Sequence, residues 1–153
     1  MKADQMATYK IFERHVRLAI PKTLTHAKIM HAIKHNSGAT DDILKKGLMW
    51  GTGPFLDIKM MIPKQYDGCW TTASGGYTLG TDIIDLSSSD VANFESGHDR
   101  WPTKVGDVSY ITMTLLHELT HWAREQSGTK DDPDKEDGWE FEIEAYGKKF
   151  VRE

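Results

Sequence analysis

The sequence predicts an α+β fold, and three features carry that prediction. Between Trp50 and Leu86 lie short stretches rich in β-branched and aromatic residues, separated by Pro63, by Tyr66-Asp67-Gly68 and by Gly75-Gly76. From about Asp107 to Gln126 runs a long stretch whose apolar residues recur at helical spacing. No repeat or low-complexity tract interrupts the chain, so one domain over residues 1–153, with a small and mostly antiparallel sheet against helices, is the simplest account.

Taken in order, residues 23–36 (TLTHAKIMHAIKHN) place Leu24, Ala27, Met30 and Ile33 on one helical face, with Thr23 able to cap the start and Ser37-Gly38 to end it. DDILKK makes a second short helix that stops at Gly47. FLDIKMMI, GCWTTA and GYTLGTDIIDL supply two or three strands. SSSDVANFESGHDRWPTKVGD reads as loop with at most one helical turn. The long helix follows, then the acidic loop SGTKDDPDKEDG, then a last helix starting near Trp139.

Composition removes several classes of function. A net charge of -4 leaves no basic excess to neutralise phosphates, which argues against nucleic acid as a partner. Cys69 is the single cysteine, so neither an intrachain disulfide nor a thiolate metal cluster can form. No stretch approaches the roughly 20 apolar residues of a membrane span. The opening MKADQMATYKIF lacks the apolar run of a signal peptide, an expectation that fits either the bacterial cytoplasm or export by a dedicated machine. DDPDKEDG does not match a calcium loop, and neither TGPF nor ASGGY matches a phosphate loop.

The chemistry gathers at HELTH, residues 117–121. With His117 set at zero, His121 falls at about 40° and Glu118 at about 100° around the helix. Val108, Ile111, Leu115, Leu119 and Trp122 fall at about 120–200°, an apolar stripe on the far side. Two imidazoles at i and i+4 direct their Nε2 atoms onto one ion. Glu118 points a quarter turn away, where it can take a proton from water instead of binding the metal.

Catalytic zinc sites use three protein ligands, so a third is needed. DGWEFEIEAYGKKF offers three glutamates on a helix whose apolar stripe is read as Trp139, Ile143, Tyr146 and Phe150, with Asp137 able to cap it. Glu142 lies at about 60° from Trp139 and borders that stripe, Glu140 at about 100°, and Glu144 at about 140°. Glu142 is the first choice and Glu140 the reserve.

His117-Glu118-Leu119-Thr120-His121, followed by Glu142-Ile143-Glu144-Ala145-Tyr146, resembles the zincin metallopeptidases of the gluzincin kind. The resemblance implies a minimal zincin-like fold with Zn2+ on His117, His121 and Glu142. Gluzincin families with this second motif continue with Asp or Asn after the alanine, where this chain has Tyr146. The small size is also similar to the compact metallopeptidase toxin domains of bacterial secretion effectors, some attached to type VI spike proteins. That likeness implies a protein or peptide substrate and an immunity or inhibitor protein as partner.

The implied reaction is hydrolysis of a peptide bond with Glu118 as base. Candidates for the group that stabilises the oxyanion are His98 and Tyr146, whose plainer readings are a surface histidine and a packing tyrosine. Zincins bind extended substrate at a strand edge, and Thr78 to Ile84 is the stretch expected to supply it. Three rivals stand beside this reading: a zinc-binding adaptor without catalysis, an amidase or endopeptidase acting on cell-wall peptide, and a metal-free globular domain in which the motif is accidental.

Overall fold

A computed structural model describes residues 1–66, 69–130 and 135–150. The turn expected at Asp67-Gly68 and the acidic residues 131–134 lie outside the described residues. Helices α1 (Ala3–Thr8), α2 (Lys10–Leu18), α3 (Ala27–Ser37) and α4 (Asp41–Leu48) come first, with a 3-10 helix, Ile20–Thr25, between α2 and α3. Strands β1 (Phe55–Lys59), β2 (Lys64–Tyr66), β3 (Cys69–Thr71), β4 (Gly75–Tyr77) and β5 (Ile83–Ser87) follow. Next come α5 (Ser88–Glu95), β6 (Arg100–Thr103), β7 (Gly106–Ser109), α6 (Tyr110–Ser127) and α7 (Asp137–Tyr146). The architecture is α+β, and the strand pairs are mostly antiparallel.

The main sheet runs β1-β5-β4. β1 and β5 are parallel, with Leu56 opposite Ile84 and Ile58 opposite Leu86. All four of those side chains are buried, so one face of the sheet meets the helices. β4 pairs antiparallel with β5 and forms one edge. The stretch Thr78 to Ile84 therefore is not the edge: it turns away from β4 and enters β5, the central strand. Two-stranded pairs β2-β3 and β6-β7 complete the strands among the described residues.

α6 lies at the centre, touching α3, α4, α5, α7, β4, β5 and β7. Ile111, Met113, Leu115, Leu116, Leu119 and Trp122 are each less than 5% exposed, as expected for a helix enclosed on most sides. Gly47 stays inside α4 because of this packing. A Cβ there would lie 2.6 Å from the Trp122 ring, so the glycine serves close approach and not helix termination.

Two expected boundaries moved. The helix anticipated over residues 23–36 is split at His26, because Pro21 starts a 3-10 turn and the Thr25 hydroxyl donates back to the Lys22 carbonyl at 2.8 Å. The segment expected as loop contains both α5 and the β6-β7 hairpin. α5 is held by tertiary contacts: Val91 is fully buried, and Glu95 accepts from the Phe12 backbone N–H at 2.6 Å. Such contacts with the chain's first residues are invisible to local patterning.

The start of α6 is fixed by a compact polar knot. Ser109 caps the helix by accepting from Thr112 N–H, and its hydroxyl donates to Asp99 at 2.5 Å. Asp99, 5% exposed, also accepts from the Ile111 backbone at 3.2 Å. Substituting Asp99→Ala should therefore lower unfolding free energy by about 1–3 kcal/mol, the cost of losing a cap and stranding buried donors. Chemical denaturation of the two proteins is the measurement.

Candidate metal centre

α6 turns His117 and His121 to the same side, with ring centroids 5.2 Å apart. The first turn of α7 meets them. Glu136 caps that helix, its Oε2 accepting from Trp139 N–H at 2.5 Å. Its other oxygen, Oε1, lies 2.6 Å from His121 Nε2 and 3.5 Å from His117 Nε2. One carboxylate thus serves the helix terminus and both imidazoles. Ligand atoms of His117, His121 and Glu136 all lie within 4.8 Å of one another.

Glu142 approaches His117 from the opposite ring nitrogen. His117 Nδ1 donates to Glu142 Oε1 at 2.7 Å, and Glu142 Oε2 accepts from the Phe150 backbone N–H at 2.7 Å. Both of its oxygens are engaged within the protein, and the residue is 2% exposed. Glu142 is the inward glutamate of α7, in line with its predicted angle. The predicted apolar stripe is met only in part: Tyr146 and Phe150 are buried, Trp139 and Ile143 are exposed, and Gly138, Phe141, Glu142 and Ala145 face inward. Lys149 covers the Trp139 ring from outside at 4.3 Å. Glu140, the reserve choice, is exposed.

Glu118 is 8% exposed and lies beneath β4. A Cβ on Gly75 would sit 2.9 Å from its side chain and 2.7 Å from Thr114, so this strand approaches α6 only as glycine. Burial pushes the Glu118 carboxyl up, while His117, His121 and the Tyr77 backbone N–H pull it down; burial prevails. Burial alone would lower His117, yet hydrogen bonds to Glu136 and Glu142 push it up to about 10. For Glu136, burial opposes ionisation, and the two imidazoles outweigh it, holding the carboxyl well below its ordinary range.

A cleft of about 560 Å³ opens over these groups, lined by Gly76, Tyr77, Leu79, His117, Glu118, His121 and Glu125. Tyr77 donates its hydroxyl to Glu125, and Gly80 N–H donates to the same carboxylate at 2.8 Å. The two remaining candidates do not line it. His98 is exposed on the turn after α5, its Nδ1 3.1 Å from the Ser96 hydroxyl. Tyr146 is buried between Phe141 and Phe150 in edge-on ring contacts, and burial followed by the nearby Glu142 raises its phenol.

The sequence matches the metallopeptidase toxin 3 family over residues 5–147. The chain belongs to this family. Membership implies metal-dependent peptide hydrolysis, and the match covers the helices before the sheet as well as the two motif helices. Neither the curated proteins nor the solved structures give a match.

Glu136 was missed because glutamate is an uncommon helix cap and Asp137 looked the better one. The signal was present all the same: an unusual cap residue, set two positions before a glycine, at the start of the helix that follows HELTH among the described residues. Gly138 explains the spacing. A Cβ there would fall 2.2 Å from His117 Nε2, so the His117 ring lies directly against the α7 backbone. Gly138→Ala should therefore displace that ring and lower tightly held metal several-fold, with helix content unchanged. Metal analysis beside circular dichroism tests this.

Proposed function

We propose that this protein is a zinc endopeptidase of zincin type, with the ion held by His117, His121 and Glu136. The observation that carries the reading is the convergence of two Nε2 atoms on one carboxylate oxygen. A tetrahedral ion with bonds of about 2.0–2.1 Å needs ligand atoms about 3.3 Å apart, and the separations of 2.6 and 3.5 Å bracket that value. Imidazole with carboxylate is a donor set suited to zinc. Charge supports it too: Glu118, Glu136 and Glu142 crowd two imidazoles, and a divalent cation relieves their repulsion.

Bound there, the ion would supply Lewis acidity toward the scissile carbonyl and acidify water. The protein's own groups do the rest. Glu136 and the two imidazoles hold position, and Glu142 orients His117 through Nδ1. In this reading Glu136 takes the ligand role the sequence had assigned to Glu142. Glu118 removes the proton from the attacking water and delivers it to the leaving amine nitrogen, a task suited to a carboxyl raised by burial. β4 is an edge strand among the described residues, its Gly76 and Tyr77 line the cleft, and it could pair with an extended substrate.

Membership of a toxin family supports a protein substrate and a cognate immunity protein that would cover the cleft. Delivery as a secretion effector, including by a type VI spike, rests on the likeness noted from the sequence. A cell-wall peptide is the competing substrate, and assays on an unfolded protein and on purified cell wall separate the two.

Three variants test the residue roles. Glu118→Gln should keep its tightly held zinc while hydrolysis falls by about 10²-fold or more. Glu136→Gln should lose zinc and activity together. Glu142→Gln should retain the site but weaken zinc by about 10–100-fold, as expected on loss of an orienting partner. Metal analysis and cleavage of an unfolded protein give the readouts. Full zinc in Glu136→Gln with none in Glu142→Gln would return the ligand role to Glu142, and undiminished cleavage by Glu118→Gln would end the water-activation mechanism.

A further inference from the structure

A second group of metal-ligating side chains lies on the outer seam between α3 and α7. His31 and His35 sit one turn apart on α3 with rings stacked at 6.0 Å, and both reach Glu144 of α7. His31 Nε2 is 3.3 Å from Glu144 Oε1, and His35 Nδ1 is 2.9 Å from Oε2. One ligand atom from each of the three residues lies within 4.8 Å of the others. We propose that His31, His35 and Glu144 form a second binding site for a divalent transition-metal ion, separate from the cleft and bridging α3 to α7.

The geometry suits an ion as well as it suits hydrogen bonds. Ligand atoms in a tetrahedral site lie about 3.3 Å apart, and the two imidazole–carboxylate separations of 3.3 and 2.9 Å lie close to that value. Asn36 aims the carboxylate: its side-chain amide donates to Glu144 Oε2 at 2.9 Å and to the Ala32 carbonyl at 2.8 Å. Lys34, the nearest basic residue along α3, is paired with Asp41 at 2.7 Å. The imidazoles are 75% and 69% exposed, open to an ion from solution, while Glu144 is 28% exposed at the helix seam. Exposed histidine–carboxylate pairs contribute little stability by themselves, so the three-fold convergence gains most when a cation joins it. Three protein ligands leave the remaining positions to water.

This site stands apart from the cleft in its residues, and it is weaker because it is exposed. Protein loaded with zinc and dialysed is titrated with further Zn2+ by calorimetry. The expected result is one additional equivalent, accompanied by a rise in melting temperature because the ion ties two helices together. His31→Asn with His35→Asn should abolish both the additional event and the melting shift. These are surface positions, and asparagine can still hydrogen-bond to Glu144, so the fold is expected to persist. Glu144→Gln should weaken the event. The same titration on Glu136→Gln keeps the two sites distinguishable: the surface event should remain whether or not the cleft holds zinc. No additional equivalent in the wild type, or one that survives in the double histidine variant, would overturn the proposal.

Discussion

The structure of the site depends on one contact, the docking of the first turn of α7 against the last half of α6. Arg124 and Asp137, both almost fully buried, form an ion pair across this junction, and Arg124 also donates to the Lys130 carbonyl. A buried pair of this kind adds little net stability, because desolvation offsets the attraction. Its effect is positional. It fixes which residues of α7 face α6, and with them the locations of Glu136, Gly138 and Glu142. The glycine then lets the backbone come up against the His117 ring, closer than any side chain would allow.

From that junction follows a different setting for each of three carboxylates. Glu136 faces the two Nε2 atoms, Glu142 faces Nδ1 of His117, and Glu118 looks toward the cleft from under β4. Chemically similar groups thus acquire different surroundings through position alone. Burial opposes ionisation at both Glu118 and Glu136: it prevails at Glu118, whereas at Glu136 the hydrogen-bonded imidazoles override it. The sheet contributes the opposite wall. Gly75 brings the edge strand close to Thr114 and Glu118, and the Tyr77–Glu125 hydrogen bond ties the end of that strand to α6.

Both histidine pairs use the same local rule, two imidazoles one helical turn apart joined by a glutamate, one capping α7 and the other within it. They differ in what surrounds them. His117 and His121 lie in a cleft beside a buried carboxyl and a strand edge, while His31 and His35 lie on the outside of the helix seam. The proposed surface site would tie α3 to α7, whereas the cleft sets its two histidines beside a buried carboxyl and a strand edge.

By itself the sequence determined what local periodicity encodes. The spacing of His117, Glu118 and His121 on a helix with an apolar back and the strand-forming segments around Phe55–Lys59 and Ile83–Ser87 follow from repeats of 3.6 and 2 residues. Tertiary structure decided what depends on residues distant in the chain. Val91 and Glu95 form a helix because Phe12 and its neighbours await them, and Trp139 and Ile143 turn outward because Phe141 and Ala145 fill the seam with α6. Glu136 reaches the histidines only because a cap, a glycine and a buried ion pair set the path of α7. A side chain's partners across fifteen or more residues depend on how helices dock, and periodicity within one helix carries no record of that.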